Sequence, residues 1–110
     1  MRLTAIMVGL CLGIAASAVA QDAKVTKGQE VYVAQKCNLC HSIDGKGNAK
    51  GSLDGVGSKL TAEEIRNWIA DPKGMTAKTK AERKPAMKAY ALPKEDVDAL
   101  VAYVGTLKKK

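Results

Sequence analysis

The chemistry of this chain of 110 residues is concentrated in Cys37-Asn38-Leu39-Cys40-His41. Two cysteines separated by two residues and followed at once by histidine form the attachment signature of a c-type haem. One tight turn holds the two sulfurs at the separation of the vinyl groups on one porphyrin edge. The imidazole of His41 then lies under the macrocycle, where Nε2 can bind iron as proximal ligand. The implied cofactor is one haem c, covalently bound through Cys37 and Cys40. A structural zinc site also uses Cys-x-x-Cys, but it needs four N or S ligands, and the chain offers only Cys11 besides and no second histidine. A thioredoxin-like dithiol would need a strand before the motif and a βαβ pattern around it, and the sequence has neither.

The sixth position on such an iron decides what it can do. With one histidine in the chain, bis-histidine ligation within a monomer is excluded. Methionine, lysine, water or an open site remain. Beyond the N-terminal segment the methionines are Met75 and Met87.

The elements that must position these groups read as follows. Met1 to Gln21 carries one basic residue, Arg2, an apolar run from Leu3 to Ala16, and Ala18-Val19-Ala20, the small-x-small pattern that signal peptidase reads. Residues 1–20 are therefore expected to be a signal peptide and residues 21–110 the mature domain; an uncleaved anchor is the competing reading, since the run nearly reaches spanning length. Leu10 before Cys11 speaks against a lipoprotein site. Export removes Cys11, so no disulfide framework supports a domain that has no phenylalanine and a single tryptophan. A haem would supply the missing apolar mass.

A first helix is expected from about Thr26 to Lys36, opened by a Thr26/Gln29 capping box and carrying Gly28, Val31 and Tyr32. Gly28 is either a mildly unfavourable helix residue or a gap that lets another helix cross closely. The glycines from Gly45 to Gly57 predict a loop without regular helix or strand. Its Gly45–Ser52 run fails as a phosphate-binding loop, because the lysine precedes the second glycine and no strand leads in. The loop is instead expected under the proximal face, where a backbone carbonyl can accept the Nδ1 proton of His41. Thr61 and Glu64 form a second capping box for a helix with Ile65, Trp68 and Ile69, ended by Asp71-Pro72, and Trp68 reads as core. Residues 72–92 read as irregular and basic. Pro93 opens a last helix with Val97, Leu100, Val101 and Val104 as its buried stripe, and Lys108–Lys110 suit its dipole.

In this order of features the chain resembles the class I c-type cytochromes, small soluble monohaem proteins. The matching features are Gly28 and Tyr32, then Cys-x-x-Cys-His, a later methionine, and Leu100 with Tyr103 on the last helix. The resemblance implies an all-α cytochrome c fold, three to four helices around one covalently attached haem, with the terminal helices crossing so that Gly28 and Tyr32 pack on Leu100 and Tyr103. The haem motif near the mature N-terminus argues against the four-helix-bundle cytochromes. Lys84-Pro85-Ala86-Met87 is similar to the family's Pro-x-Met segment, which implies Met87 as the distal ligand and leaves Met75 as a loop residue. The family's proximal Gly-Pro-x-Leu segment is here Lys50-Gly51-Ser52-Leu53, without the proline.

These readings predict a periplasmic monomer that carries single electrons through a His/Met haem and is no enzyme. The formal charge is +7, and loss of Arg2 leaves about +6, which suits redox donors and acceptors with acidic docking surfaces. The lysines between Lys73 and Lys94 either ring the haem edge or form a solvated face. Nucleic-acid binding and stable membrane insertion after cleavage are not expected. The alternatives are a dedicated electron-transfer subunit of a periplasmic dehydrogenase and a ligand-binding haem sensor.

Overall fold

Between Ile14 and Lys27 there is neither glycine nor proline to stop a helix, and alanine is frequent. The structure, a computed structural model, describes residues 12–109, and in it helix α1 spans Leu12–Ala34 without a break. This corrects the expected start at Thr26. Thr26 does not cap anything: its hydroxyl donates to the carbonyl of Asp22 (3.0 Å), the back-bond of a mid-helix threonine. Residues 1–11 of the expected signal peptide lie outside the described residues.

Lys36 adopts a left-handed conformation (φ 55°, ψ 42°) and turns the chain out of α1. A 3₁₀ turn over Cys37–Leu39 follows at once. The glycine-rich stretch is more ordered than its composition predicts. It holds a two-stranded antiparallel ribbon, β1 (Ser42–Ile43) and β2 (Lys46–Gly47), a 3₁₀ turn at Ala49–Gly51 and a single-turn helix, α2 (Val56–Lys59). Glycines here serve as turn points between short hydrogen-bonded pieces.

Helix α3 (Ala62–Ala70) opens with the capping box read from the sequence: Thr61 Oγ1 accepts from Glu64 N (3.1 Å), and Glu64 Oε1 accepts from Thr61 N (3.0 Å). Replacing Thr61 by alanine should cost about 1 kcal/mol, seen as a lower denaturant midpoint at unchanged slope. Asp71-Pro72 ends α3 but also starts a helix absent from the sequence reading, α4 (Pro72–Thr79). Asp71 accepts from Gly74 N (3.1 Å), and Pro72 takes the first position, where its missing N–H is no loss. Met75 is consequently a buried helical residue and not part of a loop. Residues 81–92 have no regular structure, and α5 (Lys94–Gly105) follows.

The terminal helices α1 and α5 cross at Gly28. A Cβ on Gly28 would overlap the carbonyl oxygen of Ala99 and lie 2.5 Å from the Cβ of Tyr103. Tyr32 then meets Tyr103 edge to face, with ring centroids 6.0 Å apart at 79°. Such a pair adds about 0.5–1.5 kcal/mol beyond area burial. The core joins Val31 and Tyr32 of α1, Ile65 and Ile69 of α3, and Val97, Leu100, Val101 and Val104 of α5. Trp68 is not in it: it is half-exposed, because Ile65 and Ile69 take the inward positions of α3. The C-terminal lysines also differ from expectation. Lys108 lies past the end of α5, and its ammonium donates to the carbonyl of Gly57 (2.8 Å), while Gly57 N donates back to Leu107 O (2.8 Å). The tail thus latches α2 to α5.

Candidate functional site

One turn gathers the three residues of the motif. Both His41 N (2.9 Å) and Cys40 N (3.1 Å) donate to the carbonyl of Cys37, so the two thiols and the imidazole leave a single loop of backbone. Cys37 is half-buried and Cys40 exposed, and both are free. Burial pushes the Cys37 thiol above its ordinary range, and Cys40 adds to the effect.

Asn48 closes this turn from below. Its N–H donates to the carbonyls of His41 (2.9 Å) and Asn38 (3.1 Å), and its side-chain amide donates to that of Leu39 (3.2 Å). Its Oδ1 accepts from Lys50 N (3.0 Å), an Asx turn that starts the Ala49–Gly51 segment. Asn48 went unread in the sequence. Its signal was an asparagine two residues before a backbone N–H in a glycine-rich run. Gly47, at φ 112°, allows the close approach: a Cβ there would overlap the His41 carbonyl oxygen.

The segment so anchored delivers a carbonyl to the histidine. Nδ1 of His41 lies 2.9 Å from the carbonyl oxygen of Gly51, so Nδ1 carries the proton and Nε2 keeps its lone pair. Burial of the ring, opposed by this bond, lowers its pKa, and the nearby Arg83 lowers it further. The shift favours the neutral ring, the form in which imidazole binds a metal.

Met87 is not brought into the turn. It sits half-buried on the irregular 81–92 segment. That segment is tied back by Tyr90 N to Ile69 O (3.4 Å) and by the side chain of Arg83, which lies against Gly51. Burial raises the pKa of Tyr90, and the thiols of Cys37 and Cys40 add to the rise. Lys88 Nζ stands 5.3 Å from the centre of the Tyr90 ring. Cys37, Leu53, Leu60, Tyr90 and Leu92 are apolar groups only partly covered by the core they pack against.

A model of the cytochrome c family matches residues 25–108. The chain belongs to the cytochrome c family. Compared with curated proteins and with solved structures, it matches none. The all-α fold with closely packed terminal helices is the one the resemblance implied. Members of the family bind haem c covalently and use it to transfer electrons. The residues present fit that group: two free thiols, an imidazole whose Nδ1 is bonded so that Nε2 is free, and apolar side chains such as Leu53, Leu60 and Leu92 that the core covers only in part. No helix among the described residues is long and apolar enough to cross a membrane.

Proposed function

We propose that this cytochrome c is an exported one-electron carrier, mature from residue 21, whose haem is attached through Cys37 and Cys40 and ligated by His41 and Met87. The haem supplies a single Fe(III)/Fe(II) couple. The observation that carries the reading is the His41–Gly51 hydrogen bond, which presents Nε2 of a neutral imidazole beside both thiols. Between the two methionines the choice falls on Met87, which is half-buried on a segment free of helix, whereas Met75 is already committed to the core at 6% exposure. A soft sulfur ligand favours the ferrous state, and two protein ligands leave no position for oxygen or peroxide. A haem held by Cys37 and the exposed Cys40 would supply one-electron exchange with partner proteins, and no substrate would be transformed.

The exposed side chains of Lys73, Lys78, Lys80, Lys84 and Lys88 on α4 and the residues after it supply positive charge suited to acidic donor and acceptor proteins. The test is the optical spectrum of the mature protein reduced with dithionite, before and after carbon monoxide. A sharp low-spin spectrum unmoved by the gas is expected. A shift on adding the gas would mean an open sixth position and would replace the carrier reading with a ligand-binding one.

A further inference from the structure

Arg83 stands apart from the other cations of its segment. Its guanidinium occupies the space over Gly51: a Cβ built on that glycine would overlap Nη1 of Arg83 and lie 2.9 Å from its Cζ. Gly51 is the residue whose carbonyl accepts the Nδ1 proton of His41, so a cation sits directly against the hydrogen-bond partner of the imidazole. Among the described residues no carboxylate pairs with Arg83, although Lys27, Arg66 and Lys94 all find acidic partners. Its charge is therefore not neutralised locally. A side chain at position 51 would meet the backbone carbonyl oxygen of Cys40 as well as this guanidinium.

We propose that Arg83 raises the reduction potential from the His41 side through the charge of its guanidinium, which lies against Gly51. The inference rests on His41 being the proximal ligand. A fixed positive charge favours the state of lower charge at the iron, the ferrous one. It also opposes the extra donor strength that the imidazole gains from hydrogen bonding to Gly51. The same contact joins the Met87 segment to the loop that holds His41, so one side chain couples the two halves of the site.

The test is the midpoint potential of the haem-loaded protein, taken at low ionic strength, where an exposed charge is least screened. Arg83→Gln should lower the potential at least twice as far as Lys24→Gln, an equal loss of charge at an exposed position on α1. Arg83→Lys should recover more than half of the fall, because it restores the charge. Equal shifts for Arg83→Gln and Lys24→Gln would overturn the proposal. So would failure of both Arg83→Gln and Arg83→Met to take up haem while Arg83→Lys loads normally, since the role would then be assembly and not tuning. Spectra with carbon monoxide are recorded on the wild type and each variant. A gas-induced shift in the wild type defeats the His/Met reading, whereas the order of the potentials bears on Arg83 alone.

Discussion

Met87→Ala is expected to convert the reduced protein from a low-spin form indifferent to carbon monoxide into a high-spin form that binds it, and to lower its potential. Among the described residues Met87 carries the only thioether outside the core, and its loss leaves a position that a weak ligand or a gas can take. Beyond the lost iron–sulfur bond, the same change should cost little packing energy, because Met87 is only half-buried. Met75→Ala should do the reverse. Met75 is 6% exposed in α4, so truncation opens a core cavity and costs about 2–5 kcal/mol, while the spectrum keeps its low-spin shape. Core packing and ligation are thus separable on two methionines of one chain. A Met87→Ala spectrum identical to wild type, together with loss of the low-spin bands in Met75→Ala, would exchange the two roles.

Where a residue's own chemistry decides its place, the sequence was legible. The Thr61–Glu64 capping box is such a case, since both partners lie within one turn. So is the apolar stripe of α5, and so is the carbonyl offered to His41 by a loop too rich in glycine to stay away from it. Thr26–Gln29 has the same form as the true box and failed, because a cap needs the chain before it to be non-helical, and the residues before Thr26 are good helix formers. Asp71-Pro72 was read only as a stop. The pair is equally an N-cap followed by a first-turn proline, and choosing between those meanings requires knowing that the next residues can pack, as Met75 does. Arg83 could not be told from its neighbouring lysines. What distinguishes it is a gap over Gly51 that exists only after the loop has folded against the haem motif.

Gly28→Ala tests the helix crossing by the sign of its effect. If Gly28 were an ordinary helix residue, alanine would stabilise the protein by about 1 kcal/mol through helix propensity. At the observed crossing the new methyl group would overlap the carbonyl oxygen of Ala99 and approach the backbone carbon of that residue to 2.9 Å. Backbone cannot rotate away as a side-chain end can, so α1 and α5 must separate. Separation loosens the Tyr32–Tyr103 edge-to-face pair and the shared core of Val31, Leu100 and Val101. A net loss of about 2–3 kcal/mol is therefore expected, the overpacking penalty exceeding the propensity gain. Gly28→Leu should prevent stable folding, whereas leucine at the exposed neighbour Gln29 should leave the denaturation midpoint almost unchanged. Denaturant titration of the haem-loaded variants reads the sign directly. A stabilised Gly28→Ala protein would mean that the terminal helices do not meet at this glycine.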